Sequence, residues 1–283
     1  MEAVAARGRR ARTVVGVVAL IVLPVAADGR GPSQKDVLAR AGRRVVQYQA
    51  ELPHLIATET SVQLATAPRG RLVEAQERHL VSELGWVSAG TLPDLVGVRD
   101  VVEVDGQPLH GGERLRLQML LHGSGPTTPE SVTQLLNEGA RFNLAEGSRN
   151  FNLPTVALFF LHPETQSRFK WSRQSPSSAA TWVITFKERA QPTIIHTGDG
   201  EPVFSKGFVE IETATGEVRR TELTVHIDQL DYTLTTTFGR VASVDMNLPV
   251  SLQEKYVTPT GTITGQAHYD TYRRFDTTAR LVQ

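Results

Sequence analysis

The run Val209-Glu-Ile-Glu-Thr-Ala-Thr-Gly216-Glu-Val-Arg-Arg-Thr-Glu-Leu223 decides how this chain folds. Val209 and Ile211 alternate with Phe208, Glu210 and Glu212, the period of a strand with one buried face. Thr213-Ala-Thr-Gly216 predicts a tight turn, with Gly216 where a hairpin needs the left-handed region. Leu223, Val225 and Ile227 resume the alternation on the returning strand.

The same period spreads outward. Downstream, Tyr232, Leu234, Thr236 and Phe238 alternate with Thr233, Thr235 and Thr237, and a final strand runs from about Thr262 to Phe275. Upstream, Trp182, Ile184 and Phe186 alternate with Val183, Thr185 and Lys187. Farther toward the start, residues 54–65, 78–88 and 95–104 predict three consecutive strands of an antiparallel meander. Their expected buried faces are Ile56, Val62 and Leu64; then Leu80, Leu84 and Trp86; then Val96, Val98, Val102 and Val104. Glu59, Ser61 and Gln63 take the opposite parity and are expected outside.

Helical periodicity is confined to two places. Leu38, Ala41, Val45, Tyr48 and Leu52 mark an amphipathic helix over about Lys35–Ala50, stopped by Pro53. A helical insertion is expected near 111–161, where Thr128-Pro129-Glu130 has the chemistry of a helix start. Val156–Leu161 suits either a helix after Pro154 or a buried strand. About ten half-apolar strands need one large sheet with a covered face, and a sheet that wide curls. The expected fold is α+β: a large curved antiparallel sheet, an incomplete β-barrel, with helices covering the concave face. The first helix and the 111–146 segment are the expected cover.

The chain has 283 residues, with 30 basic and 30 acidic side chains, so no overall field steers it to nucleic acid. It has no Cys, which removes disulfides and thiolate chemistry. Arg7, Arg9, Arg10 and Arg12 precede the apolar run Val14–Leu23, then Pro24 and Val25-Ala26-Ala27. This is the layout of a signal peptide cleaved near Ala27. The apolar run is too short for the roughly 20 residues of a membrane span. The expected division is a signal peptide over 1–27 and a single domain over 28–283, with no membrane span after cleavage. Loss of four Arg and one Glu leaves a net charge of −3, suited to a bacterial periplasm or secretion.

The signal sequence, the amphipathic first helix, the curling sheet and the Val209–Leu223 hairpin together resemble the periplasmic outer-membrane lipoprotein carrier superfamily, which includes lipoprotein-sorting proteins. Gly97-Val-Arg-Asp-Val-Val-Glu-Val-Asp-Gly106, Asn152-Leu-Pro-Thr-Val-Ala-Leu158 and Tyr269-Asp-Thr-Tyr-Arg-Arg-Phe275 resemble stretches of an uncharacterised family of exported bacterial proteins. The resemblance implies a carrier fold and no known activity. The 111–161 insertion makes the chain longer than a simple carrier, and no functional residue of the carriers maps onto it.

Catalytic chemistry is hard to find. His54, His79, His110, His122, His162, His196, His226 and His268 show no metal-protease spacing, and no nucleophile elbow or phosphate loop occurs. No metal and no cofactor is expected. His268, Asp270, Tyr272 and Arg274 share one strand parity, which a hydrolase could use only with a nucleophile brought from elsewhere. The expected ligand residues are apolar: Trp86, Trp182, Ile184, Phe186, Val209, Ile211, Leu223, Val225, Tyr232, Leu234 and Phe238. Asp100, on the parity of Val96 and Val98, is the candidate polar anchor. The expected function is non-enzymatic binding of a hydrophobic group such as an acyl chain or lipoprotein. The alternatives are an envelope scaffold or sensor that binds another envelope protein, and, third, a hydrolase.

Overall fold

Among the described residues every strand pairing is antiparallel, and one sheet takes in all but two of the strands. The computed structural model describes residues 31–68, 75–88, 95–109, 117, 129–144, 153–175, 178–197 and 199–274. From Pro32 onward they belong to one compact unit. Residues 1–27, expected from the sequence to be a signal peptide, and most of residues 110–128 lie outside the described residues.

Helix α1 spans Gln34–Glu51. Ser33 and Asp36 form a capping box at its start: the Asp36 amide donates to Ser33 Oγ at 3.2 Å and the Ser33 amide donates to Asp36 Oδ2 at 3.1 Å. It buries Val37, Leu38, Ala41 and Val45. Pro53 follows in a single 3-10 turn. Strands β1 (Leu55–Thr66), β2 (Gln76–Ser88), β3 (Leu95–Val104) and the short β4 (Gln107–Pro108) come next, then α2 (Pro129–Ala140). The second half holds β5 (Phe169–Arg173), β6 (Thr181–Glu188), β7 (Ile195–His196), β8 (Pro202–Val203), β9 (Ser205–Glu212), β10 (Val218–Ile227), β11 (Leu230–Val241), β12 (Met246–Thr258) and β13 (Gly261–Arg274).

The large sheet has eleven strands in the order β4-β3-β2-β1-β13-β12-β11-β10-β9-β6-β5, open at β4 and β5; β7 and β8 pair separately. Two meanders therefore meet where β1 pairs with β13, across almost the full length of the described chain. Α1 covers the face that carries Leu84, Trp86, Ile184, Ile211, Leu223 and Leu234, and all of these are buried in one cluster with it. The Gly216 turn fits against α1. Gly216 has φ +79°, and a Cβ there would stand 2.6 Å from the Arg40 carbonyl carbon. Arg40 donates to Thr213 O and Arg44 Nε to Thr215 O, so the helix is tied to that hairpin. Residues 156–161 are neither of the two expected forms. They are turns ending in a 3-10 turn, Phe159–Leu161, and they seal the same face. Phe160 stacks on Phe169 at 4.9 Å and meets Phe186 edge-on at 5.3 Å.

Four expectations change. In β1 the odd parity is the inner one, so Glu59, Ser61 and Gln63 are buried and Leu64 is exposed. Leu55 and Ala57 enter the main core first, and strand alternation carries every second residue after them to the same face. In β3 an extra residue between the partners of Val81 and Ser82 breaks the expected Val96–Val104 face. Val96 and Val98 point to the outer side, where they pack with Ile56, Val87, Leu117 and Leu136. In β13 the bulge opposite Ile56–Thr58, at Thr271 with φ 47°, separates Tyr272 from His268 and Asp270. Tyr272 is buried and the other two are exposed. Finally, the described part of the 111–146 segment is divided between the two faces. Leu117 and Leu136 join the outer cluster, whereas Asn143 and Leu144 bond Gln63 on the inner one, and Gly139 approaches β3 so closely that a Cβ would stand 2.8 Å from Arg99 O. That approach covers a stretch of β3 which β4 is too short to protect.

Candidate ligand pocket

The eleven apolar residues singled out from the sequence converge. Trp86, Trp182, Ile184, Phe186, Val209, Ile211, Leu223, Val225, Tyr232, Leu234 and Phe238 are all buried in the main cluster, each at most 5% exposed. Of these, Phe238 also lines a pocket. That pocket, of about 560 Å³, is at one end of the sheet. It lies between the C-terminal half of α1, the start of β10, and the turn that joins β11 to β12. Its volume is within the roughly 300–1,000 Å³ typical of ligand sites.

Its apolar lining comes from Val45, Tyr48, Leu158, Val218, Phe238 and Val244. The charged lining is balanced: Arg44, Arg240 and Arg274 against Glu51, Glu217 and Asp245. Arg274 holds Glu51 at 2.6 Å, which ties the end of β13 to the end of α1. Arg240 pairs with Asp245 across the β11–β12 turn, where Asp245 has φ 56°. Helix α1 was readable in the sequence, whereas β12 and the turn before it were not among the expected elements. The convergence of α1 with that turn was not readable either, because it depends on which end of the sheet the helix crosses.

Asp100 is buried, on the outer parity beside Val98 and opposite Glu83. It is not part of the pocket lining. His268 and Asp270 are exposed on the outer face, with Thr60 and Ser251 as the register partners of His268. Neither hydroxyl is hydrogen-bonded to it. Among the described residues no cluster of three metal-ligating side chains occurs. No described helix is long and apolar enough to cross a membrane.

Sequence reasoning missed a second, polar site under β1–β3 and β12. Arg99 donates from Nε to Glu59 Oε1 at 2.6 Å and from Nη2 to Glu59 Oε2 at 2.9 Å. Glu254 lies close by; it accepts from the Tyr256 hydroxyl at 2.9 Å and sits over Gly265, whose missing side chain makes room for it. Gln63 donates to Asn143 Oδ1 at 2.6 Å and accepts from the Leu144 amide at 2.8 Å. The neighbouring carboxylates hold the Arg99 guanidinium fully charged in spite of its burial. The cavity between these groups is about 20 Å³, room for a single water.

No family model and no curated protein matches the chain. Among solved structures it is similar to a DUF1329 family protein from Desulfovibrio piger, at 10% identity over 85% of this chain and 92% of that one, with a TM-score of 0.41. It is also similar to an outer membrane lipoprotein-sorting protein domain from Vibrio parahaemolyticus, at 10% identity over 83% and 93%, TM-score 0.37. A LolA superfamily protein from Nitrosomonas europaea matches at 9% identity over 83% and 94%, TM-score 0.32.

Proposed function

We propose that this protein is a non-enzymatic binding protein for a single hydrophobic group of acyl-chain type, taken up at the end of the sheet beside α1. The observation that supports this is the 560 Å³ pocket itself, apolar along Val45, Leu158, Phe238 and Val244, with charges at its margin. Burial of hydrocarbon against such a wall contributes about 25 cal/mol per Å² and needs few polar anchors. Phe238, which lines the pocket and is buried in one cluster with Trp86, Trp182 and Ile184, then touches the chain. Export to the periplasm after removal of residues 1–27, leaving one domain over 28–283, belongs to the same proposal. A lipoprotein is the occupant if its acyl chain enters here.

The test is titration of the purified protein with a fluorescent fatty-acyl probe. Saturable uptake is expected. Val244→Trp, which fills the pocket from the turn side, lowers affinity at least about ten-fold, the loss of some 1.4 kcal/mol. Non-saturable uptake by the wild-type protein overturns the proposal and leaves the protein-binding scaffold as the reading to pursue.

A further inference from the structure

On the outer face of the sheet, Arg220 meets Glu210 at 3.9 Å and His226 bonds Asp231 at 2.9 Å. Between these two self-paired rows runs a row of one sign. Lys170 of β5 stands opposite Lys187 of β6, and Lys187 opposite Lys206 of β9. Through Thr224 and Thr233 the same row continues to Lys255 of β12. All four lysines are exposed. The chain has 30 basic side chains but only five lysines, so four of the five stand in this one row. Among the described residues none of the four forms an ion pair. Adjacent strands lie about 4.8 Å apart, so the backbones of Lys170 and Lys206 are about 10 Å apart. Like charges directly opposite one another destabilise a sheet. The row therefore works against the fold, and an anion outside the protein is what would offset it.

Phe204 precedes this row on β9. It is 48% exposed, the most exposed large apolar side chain among the described residues. Val203 and Ser205 on either side of it are buried and Lys206 is exposed, so strand alternation puts Phe204 on the face of Lys206. We propose that this row docks the protein on an anionic membrane surface, with the lysine ammonium groups at the lipid phosphates and the Phe204 ring in the interfacial layer. A lysine stem can lie along apolar surface while its head stays hydrated, which suits that boundary. An apolar ring beside charges of one sign combines the two forces of surface binding, apolar burial and attraction to anionic lipid. Each lysine near such a surface adds about five-fold to binding. The row is on the face of the sheet away from α1, and it does not rest on the acyl-binding reading.

The experiment is co-sedimentation of the purified protein with vesicles of equal parts phosphatidylglycerol and phosphatidylcholine. Binding is expected in dilute buffer, falling as added salt shortens the Debye length from about 30 Å to about 10 Å, and it is expected to be weak on phosphatidylcholine alone. Lys187→Gln with Lys206→Gln weakens binding about 25-fold. Removing the same charge from α1, by Lys35→Gln with Arg43→Gln, changes it less than about three-fold. Phe204→Ser weakens vesicle binding about five-fold. Relief of repulsion lets the double-lysine variant melt no lower than wild type. A lower melting temperature makes the lysines structural and overturns the proposal. Equal losses from the two double variants overturn it too, because net charge alone then explains the binding. Absence of binding to the mixed vesicles also overturns it, and binding of soluble polyglutamate in that case assigns the row to an acidic protein instead.

Discussion

The inner face of the sheet is two surfaces with opposite chemistry. Across β6, β9, β10 and β11 it is Ile184, Ile211, Leu223 and Leu234, sealed by α1 and by Phe160. Across β12, β13, β1 and β3 it is Glu254, Gly265, Glu59 and Arg99, closed by the turn at Asn143 and Leu144. Strand alternation places both sets inside with equal force. Their energetics differ: the apolar half gains from every methylene removed from water, about 0.8 kcal/mol each. The polar half gains little net from a buried ion pair, yet loses much when one member is taken away. The first surface supplies stability, and the second supplies a penalty for any other arrangement.

That contrast is broken most severely by Ile184→Asp. Ile184 is fully buried, and a carboxylate there meets no partner in the apolar half. The variant is expected to lose at least about 4 kcal/mol and to fail to accumulate as folded protein. Thermal melting and near-ultraviolet dichroism check this. A folded variant within about 1 kcal/mol of wild type would mean that the apolar half admits water.

How much of this could be read from the sequence follows the same division. The apolar strands were legible because their alternation is chemical as well as geometric: Val209 against Glu210, Leu234 against Thr235. The turn at Gly216, with φ 79°, is likewise where its residues predict it. Β1 was misread because its apolar residues, Val62 and Leu64, sit on the outer parity while Glu59 and Gln63 go inside. Arg99, forty residues away, makes the burial of Glu59 tolerable, and Asn143 and Leu144 do so for Gln63; no local pattern announces either. The bulges in β3 and β13 hide in the same way, since one extra residue reverses a face without altering composition. The pocket was illegible for a third reason. It belongs to no element, and arises where α1, β10 and the β11–β12 turn end together.

Removing the cation from the polar half is the second-largest effect. Arg99→Met leaves Glu59 facing Glu254 in a buried space, and is expected to cost about 3–5 kcal/mol near neutral pH in urea melts. Adding Glu59→Gln recovers part of the loss, because it removes a stranded buried charge. A double variant no more stable than Arg99→Met would show that packing, rather than charge, is what Arg99 provides.

Two glycines compare the halves at smaller cost. A Cβ on Gly207 would stand 1.8 Å from the Glu222 carbonyl oxygen, a backbone atom of the paired strand that cannot yield. A Cβ on Gly265 would stand 2.4 Å from Glu254 Oε1, the end of a side chain. Gly207→Ala is expected to lose about 3 kcal/mol and Gly265→Ala about 1–2 kcal/mol. If their order is reversed, the Glu254 carboxylate is held as rigidly as main chain, and the polar half is the stiffer of the two.

The smallest effect tests the hairpin that ties the apolar half to α1. Glu212 accepts from the Thr215 hydroxyl at 2.6 Å and from Arg219 Nη2 at 3.2 Å. The Thr215 hydroxyl, and after it Arg219, hold the Glu212 carboxyl below its ordinary range against a small opposing effect of burial. A depressed carboxylate contributes stability that is present above its unfolded value and is lost as pH falls through its folded one. Glu212 is 28% exposed on its side chain, so solvent trims the effect to a fraction of a kcal/mol. Thr215→Val removes the larger cause while leaving the Thr215 carbonyl to accept from Arg44. Its melting temperature is expected to fall about 1–2 °C below wild type above pH 5, with the gap closing toward pH 3 as Glu212 is protonated in both proteins. A gap that is constant over that range would assign the loss to the turn's own hydrogen bond from the Glu217 amide to Thr215 Oγ1, at 3.1 Å, instead of to the carboxylate.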